Sequence, residues 1–466
     1  MESNRLFMGI DVSKGYADFV ILTSKRALFE KGFQLDDNLE GHKILEEIID
    51  ELTAQGYSVI CGVENTGGYE RNWIQLLRKL SKSNKKTEAY KLNPKAVKHQ
   101  IQSLLRRTID DTVSADGIAM YMANNYEIFK QNWANSTNQS KAQTNGQQVV
   151  GMICGLTKQQ TMKKNQLEKM LYHTFPEILP YMKNSTPLWV YRFLTKYPSS
   201  QAAKRAKLKG IIAIKGISET KAKSLKEKAN NSVASSAGDA PEMIVAQHCK
   251  GIVQLMGEIE MFKNVLIDQY KNSDEVKLLT SAKGVAEWSA TAFIVEIGDI
   301  PRFETSDQLA AFYGVNPCFK QSGDGKFQVK MSKQGSARMR ALLYLIAHNL
   351  HTHNEYFKTL YQKYAAKNKK HRVIMGILMH KALRVLWGML KNKTAFDPKI
   401  DIKNQEKNLQ LEPVALISKK ARRLQELTIE APISRSNSKK RKAMLEPQSS
   451  IIEEHARSSK HSLVQK

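Results

Sequence analysis

The feature that most constrains this chain is the alternation, over residues 1–125, of short apolar runs with amphipathic stretches. Leu6 to Val12 is mostly apolar, and Ala17 to Leu22 is apolar except at Asp18. The link Ser13-Lys14-Gly15-Tyr16 has hairpin length and contains a glycine, as such turns favour. Residues 42–53 follow a helical period, and Ser58 to Val63 is a nearly continuous apolar run, the pattern of a strand buried on both faces. A helix is predicted at 70–82, a strand at 87–92, and two helices near 94–105 and 109–125. A hairpin followed by β-α units makes a mixed sheet with helices on its faces, so this end of the chain is α/β.

Residues 126–150 are polar and rich in Asn, Gln, Ser and Thr, and read as a loop or insertion. Residues 151–235 read as helical and basic. In 241–272, Val245, His248, Ile252, Leu255, Ile259, Phe262 and Leu266 alternate spacings of three and four. That pattern fits a coiled-coil seam with one polar member, or equally the buried face of an ordinary amphipathic helix. Residues 276–395 read as packed helices with glycine-marked turns. Beyond 398 the pattern decays into a tail with 15 Lys+Arg against 8 Asp+Glu, densest at Lys439-Lys440-Arg441-Lys442. Its composition predicts a disordered basic arm.

The whole chain holds 72 Lys+Arg against 45 Asp+Glu, a net charge of +27. That excess is out of place in an ordinary metabolic enzyme and suits a polyanionic partner. Nucleic acid is preferred over a membrane surface, because no uninterrupted apolar run approaches the roughly 18 residues a span requires. The first apolar run is soon broken by Asp11 and Lys14, which argues against a signal peptide. Cys61, Cys154, Cys249 and Cys318 are scattered and form no CxxC pair. Neither a disulfide framework nor a zinc knuckle is expected, and a reducing cytoplasm fits best.

Asp11 lies at the end of the first apolar run and Glu64 directly after Val59-Ile60-Cys61-Gly62-Val63. An ionised carboxylate on a buried strand is costly unless it is paired or bound to a cation. Two acids at the ends of two such strands can converge on a divalent ion, and hard oxygen ligands select Mg²⁺ or Mn²⁺. A third acidic cluster, Asp110-Asp111 with Asp116, opens a predicted helix. Each acid also has a structural explanation, since Asp11 can simply end a strand and Asp110 can cap a helix. The order strand-Asp, hairpin, strand-Glu, helix-Asp is more specific than any member, and it is the layout of ribonuclease-H-like nucleases, which use metal ions in phosphodiester chemistry. Upstream of the third cluster, residues 78–107 carry ten Lys or Arg against the one acid Glu88. Such a run is either a solvated face or a phosphate contact, and its place beside the carboxylates favours contact.

Towards the other end, Leu278 to Val285 (LLTSAKGV) leads into an apolar helix ending at Glu296-Ile297-Gly298-Asp299. Helix, glycine turn and helix resemble a helix-hairpin-helix, whose backbone N–H groups hold a DNA phosphate without reading bases. Gln321-Ser322-Gly323-Asp324-Gly325 follows, and then Met331 to Arg340 (MSKQGSARMR). A serine hydroxyl on a glycine-rich loop near Lys333, Arg338 and Arg340 can attack phosphorus while the cations stabilise the developing charge. For a lone serine, an ordinary Ser-Gly turn without chemistry is the preferred reading. His351 and His353, two apart on a predicted helix, point in different directions and are taken as surface or packing residues.

Together these motifs resemble the insertion sequence 110 family of transposases, the DEDD recombinases guided by a bridge RNA. The matching stretches are MGIDVSK (8–14), GVENTGGY (62–69), KLNPKAVK (91–98), RRTIDDTVSADGIAMY (106–121), EIGDIPRF (296–303), QLAAFYGVNP (308–317), QSG (321–323) and MSKQGSARMR (331–340). The resemblance spans residues 5–395 and leaves out the tail. It implies an RNase H-like (RuvC-like) domain over 1–150 and a helical coiled-coil insertion over 151–275. A mostly α C-terminal serine domain with a helix-hairpin-helix would cover 276–397, and the basic tail 398–466. Residue by residue, Asp11, Glu64 and Asp111 match the first three metal-binding acids, and Ser322 the serine of the SG motif, with Ser332 as the alternative nucleophile. The family places its last two acids three apart, as in TDxxDA. Here that fourth position is Ser114, and Asp116 lies two residues further on. Five residues from Asp111 is about 140° around a helix, so either Asp116 reaches in through a local distortion, or Ser114 or a water ligates instead. The resemblance further implies Mg²⁺ or Mn²⁺, DNA of element ends and target, a guide RNA, and a homo-oligomer (dimer or tetramer) in the cytoplasm. In that reading Ser322, supplied by another subunit, forms a covalent link to DNA and later passes the phosphate to a new strand. The rival readings are a junction-resolving RNase H-like nuclease with water as nucleophile and no covalent intermediate, and a non-catalytic nucleic-acid-binding protein with structural acids.

Overall fold

A computed structural model describes residues 4–65, 67–103, 111–133, 141–183, 185–320, 328–410 and 434–443. The chain divides into two compact units, Met1–Asn138 and Gln139–Lys466.

The first unit is a five-stranded sheet with helices on its faces. Its elements are β1 (Arg5–Ser13), β2 (Tyr16–Thr23), β3 (Leu28–Asp36), α1 (Leu39–Ala54), β4 (Ser58–Glu64), α2 (Arg71–Ser83), β5 (Thr87–Leu92), α3 (Pro94–Ser103) and α4 (Asp111–Trp133). The strand order is β3-β2-β1-β4-β5. β1 pairs antiparallel with β2 across the Lys14-Gly15 turn, and β2 pairs antiparallel with β3. β1 with β4, and β4 with β5, run parallel. β1 is apolar throughout because both of its faces are covered. Leu6, Met8, Ile10 and Val12 pack with Leu45, Ile49, Trp73 and Leu77 of α1 and α2. Phe7, on the other face, packs with Ile118, Met122 and Tyr126 of α4. The sequence reading missed β3, an edge strand whose residues, including Glu30 and Lys31, stay largely exposed and carry little apolar signal.

α4 lies close on the sheet at Gly9. A Cβ there would sit 2.1 Å from the Ala115 carbonyl oxygen and 2.5 Å from the Ala119 nitrogen. Tyr126 meets Phe7 edge-on at 5.7 Å. α4 therefore runs antiparallel to β1, and its first turn lies towards the C-terminal end of that strand. The loop after β4 is anchored from beneath by Glu70, which is 1% exposed. Glu70 accepts from the Gly68 N–H at 2.7 Å and from Lys91 Nζ on β5 at 2.6 Å.

The second unit is mainly helical. Its helices are α5 (Lys141–Thr174), α6 (Leu188–Lys196), α7 (Ser200–Arg205), α8 (Leu208–Ile212), α9 (Glu219–Asn230), α10 (Asp239–Gln269), α11 (Asp274–Thr280), α12 (Glu287–Ile297), α13 (Ser306–Tyr313), α14 (Ala337–His353), α15 (Glu355–Ala365), α16 (His371–Asn392) and α17 (Pro398–Gln410), with the short hairpin β6 (Pro317–Lys320) and β7 (Gln328–Met331). α5 and α10 form an antiparallel pair. Ile153 and Leu156 meet Leu255 and Ile259, while Leu167 and Leu171 share a core with Val245, Cys249 and Ile252. The apolar stripe of α10 is thus closed by α5 of the same chain, and Cys249, rather than His248, is its buried member near the start. At the far end of the pair, α6 to α9 gather around Trp189, Tyr191 and Phe193. At the near end, α11 to α16 build the larger core.

Three expectations need correction. Residues 126–133 and 141–150, read as a loop, belong to α4 and α5, because Tyr126, Gly146 and Val150 supply buried positions among the polar residues. The start of the tail is helical as α17, where Asp401 accepts from Lys381 Nζ at 2.6 Å and bonds Tyr356. α16 is long and apolar enough to cross a membrane by length and composition, although half of that stretch is buried in the second unit. His380, Lys381 and Arg384 interrupt its apolar run in the sequence.

Two predictions follow from the packing of the first unit. Gly9→Ala forces α4 off the sheet and is expected to cost about 3 kcal/mol, measured as roughly 100-fold faster hydrogen exchange in β1 and α4. Burial pushes the Glu70 carboxyl up, but Lys91 and the Gly68 N–H outweigh it and hold its pKa below the ordinary 4.5. A lowered folded pKa contributes stability that is complete above 4.5 and lost as pH falls through the folded value. Lys91→Met removes the main group that lowers the Glu70 pKa, so in urea unfolding between about pH 3 and 6 the gain of stability with rising pH should be smaller than in the parent.

Candidate active site

Side chains alternate across a strand, so Gly9 and Asp11 share the α4 face of β1. The parallel register Gly9↔Gly62 and Ile10↔Val63 carries on to set Asp11 beside Glu64, on the same face of neighbouring strands about 5 Å apart. Both residues are half-buried. Burial pushes the Glu64 carboxyl above its ordinary pKa. Asp18 stands directly across from Asp11 in the antiparallel register, on that same face. One Asp18 oxygen accepts from Gln34 Nε2 at 3.1 Å and the other is screened from solvent. Sequence reasoning passed over Asp18 as a mere interruption of a strand. Its signal was available, since the predicted hairpin places it opposite Asp11.

Asp111 is the first residue of α4, one turn before Ala115, and α4 opens towards the strand ends that bear Asp11 and Glu64. A helix N-terminus there favours negative charge. The helix continues unbroken through Asp116, so the local distortion that would bring Asp116 round is not seen. Asp116 is half-buried with one oxygen screened from solvent, and Ser114 is half-buried. Asp110 lies outside the described residues. Among the described residues, no three acidic, histidine or cysteine side chains gather closely enough to hold a metal by themselves.

The basic stretch 78–107 divides in the structure. Lys91 is bound to Glu70, Lys86 Nζ donates to the Thr53 carbonyl at 3.1 Å, and Arg78 is half-buried. Lys79, Lys82, Lys85, Lys95 and Lys98 are exposed and suited to phosphate contact, while Arg106 and Arg107 lie outside the described residues. Glu70, which fixes the loop after Glu64 from below, had no signal in the sequence, because only the fold brings Lys91 to it.

In the second unit, Ser322 lies outside the described residues, between β6 and β7. Ser332 is half-buried and its Oγ accepts from the Gln334 N–H at 3.2 Å. The two arginines expected beside the serine loop are tied into the scaffold. Arg338 Nε pairs at 3.2 Å with Glu296, which burial pushes above its ordinary pKa and Arg338 partly restrains. Arg340 donates to the carbonyls of Tyr313 at 3.2 Å and Gly335 at 2.9 Å. Lys333 is exposed with a positive φ of 56°. A glycine turn at Lys283-Gly284, with Gly284 at a φ of +105°, joins α11 to α12.

Residues 8–176 match a family model described as a transposase, the DEDD model of the IS110 group. Residues 276–362 match the model of the transposase IS116/IS110/IS902 family. The chain is 26% identical over 123 residues to the insertion element IS110 uncharacterized 43.6 kDa protein of Streptomyces coelicolor, covering 26% of this chain and 30% of that protein. It is 23% identical over 156 residues to the insertion element IS900 uncharacterized 42 kDa protein of Mycobacterium paratuberculosis, covering 33% and 39%. It is 27% identical over 129 residues to the transposase for insertion sequence element IS1111A of Coxiella burnetii, covering 27% and 35%. The matched stretches span between 30% and 39% of the length of these relatives. Two models of one group match in order along separate parts of the sequence, and the chain belongs to the IS116/IS110/IS902 family of transposases.

Proposed function

We propose that this protein is the transposase of an insertion sequence, cutting and rejoining DNA phosphodiesters. The observation that carries the reading is Asp11 beside Glu64 on one face of adjacent strand ends, with the first turn of α4 directed towards them, in a chain matched by two transposase models. The strand order β3-β2-β1-β4-β5, with its first three strands antiparallel and its last two parallel to β1, supports an RNase H-like (RuvC-like) domain over 1–150. Residues 151–275 are then the coiled-coil insertion, 276–397 the serine domain and 398–466 a basic arm.

The donor set fits a hard divalent cation. Asp11 and Glu64 offer only oxygens, and Glu64 carries a burial penalty that a nearby positive charge would offset. Asp11, Glu64 and Asp111 would hold Mg²⁺ or Mn²⁺, with Ser114 or a water completing the set unless α4 distorts to bring Asp116 round. A bound ion supplies Lewis-acid stabilisation of the phosphate oxygens that gain charge. The chain's own groups do the rest. The exposed lysines of 79–98 bind the DNA backbone and orient it. Ser322 is the nucleophile, with Ser332 its alternative. As the serine oxygen bonds to phosphorus, one DNA oxygen departs and takes up the proton that the serine hydroxyl gives up. A hydroxyl of the receiving strand then displaces the serine. Each step exchanges one phosphodiester for another, so no nucleotide hydrolysis is needed. The family reading adds a guide RNA, a homo-oligomer and a cytoplasmic setting.

The test traps the reaction on element-end DNA with Mg²⁺. Glu64→Gln should lower strand cleavage at least ~10³-fold while leaving duplex affinity within about twofold. Ser322→Ala should abolish protein-linked DNA. Adducts that persist in Ser322→Ala move the nucleophile to Ser332, and cleavage without any adduct makes water the nucleophile, as in a junction-resolving nuclease. Full activity in Glu64→Gln returns the acids to a structural role.

A further inference from the structure

The helix-hairpin-helix joining α11 and α12 has a counterpart that motif reading passed over, 68 residues earlier, where α8 turns into α9. Leu208 to Glu219 (LKGIIAIKGISE) aligns without a gap on Val276 to Glu287 (VKLLTSAKGVAE). The two turns share their hydrogen bonds. Ile214 N–H donates to the Ile211 carbonyl at 3.1 Å and Ile217 N–H to the Ile214 carbonyl at 3.0 Å. Their equivalents, Ala282 to Leu279 and Val285 to Ala282, measure 3.2 and 2.9 Å. Both turns pivot on a glycine of positive φ, +98° at Gly216 and +105° at Gly284, which a side chain would strain. Buried positions also correspond: Ile217 with Val285, Ala222 with Ala290, Leu225 with Phe293, and Ala229 with Ile297.

The two copies differ in charge. Residues 276–297 carry Lys277 and Lys283 against Glu287 and Glu296, and are neutral. The corresponding residues 208–229 carry six Lys against Glu219 and Glu227, and Lys204, Arg205 and Lys207 lie just before them. Part of that excess serves the fold: Lys226 Nζ donates to the Lys204 carbonyl, and Lys228 Nζ to the Tyr181 hydroxyl at 3.1 Å. Lys207, Lys209 and Lys215 are exposed around the turn and enter no ion pair among the described residues. Ser218, Glu219 and Thr220, which open α9, are exposed beside them.

We propose that the α8–α9 hairpin, with Lys207, Lys209 and Lys215, is a second nucleic-acid contact that grips the phosphate backbone of duplex DNA without reading sequence. A basic surface whose lysines enter no ion pair among the described residues, set around a glycine turn between two helices, fits a polyanion. Single-stranded ligands are disfavoured, because no exposed aromatic side chain between residues 200 and 230 offers a stacking platform. α10 carries the two hairpins at different levels, for Ile217 shares a core with Val245 and Ile252 while Trp288 packs against Leu255 and Ile259. The choice of DNA over duplex RNA rests on the proposed transposase function, whereas the basic surface itself does not.

The experiment measures full-length protein binding to a duplex of unrelated sequence across a salt series. The triple variant Lys207→Gln, Lys209→Gln, Lys215→Gln should weaken binding at least about tenfold and reduce the slope of log K against log salt by about 2 to 3. A triple Lys→Arg variant should restore both. A control triple, Lys363→Gln, Lys367→Gln, Lys369→Gln, removes equal charge and should lose less than threefold. Unchanged affinity and slope, or a loss no greater than the control's, overturns the proposal. A loss confined to duplex RNA overturns its assignment to DNA. Because binding is read without catalysis, inactivity of the site at Asp11 and Glu64 would leave this result standing.

Discussion

The first unit depends on how closely α4 lies against β1. With no side chain at Gly9, the backbone of Ala115 and Ala119 reaches the strand, and no residue with a Cβ fits there without displacing one or the other. That contact orients α4 antiparallel to β1, with Tyr126 meeting Phe7 near the strand's start and the first turn towards its end. The parallel register of β1 with β4 then sets Asp11 beside Glu64. The candidate site is therefore a product of backbone packing: a shift of one residue in either register would turn a carboxylate to the opposite face.

This arrangement carries an electrostatic cost. Two carboxylates on one face of neighbouring strands repel, the more so in a partly buried site, and Asp18 adds a third acid on that face. A fold that gained nothing from these charges would be more stable with apolar residues at their positions. Burial already pushes the Glu64 carboxyl up. The proposed cation would relieve both penalties together, which is the physical reason to read the acids as a site.

Much of the first unit was legible in the sequence because β1 and β4 are covered on both faces and read as apolar runs, while α1 and α2 keep a helical period. β3 was not legible, because an edge strand bearing Glu30, Lys31 and Gln34 buries too little to leave a pattern. The start of α5 was read as loop from its Gln and Asn content, although Gly146 and Val150 bury one side of it. The stripe on α10 was visible, but its partner was not, since whether α5 or another chain closes such a stripe depends on distant residues. At the site, Asp11 and Glu64 announced themselves as acids ending apolar strands. Glu70 did not, because its meaning lies in Lys91, which only the fold brings near. The α8–α9 hairpin escaped notice because its motif lay within a stretch read only as basic and helical.

The central claim is that Asp11 and Glu64 hold one divalent cation between them. Anomalous scattering from crystals grown with Mn²⁺ tests it most directly. The account predicts a peak within ligand distance of both carboxylates, absent in Asp11→Asn crystals. Full-occupancy Mn²⁺ bound elsewhere, with Asp11 and Glu64 bare, would contradict it.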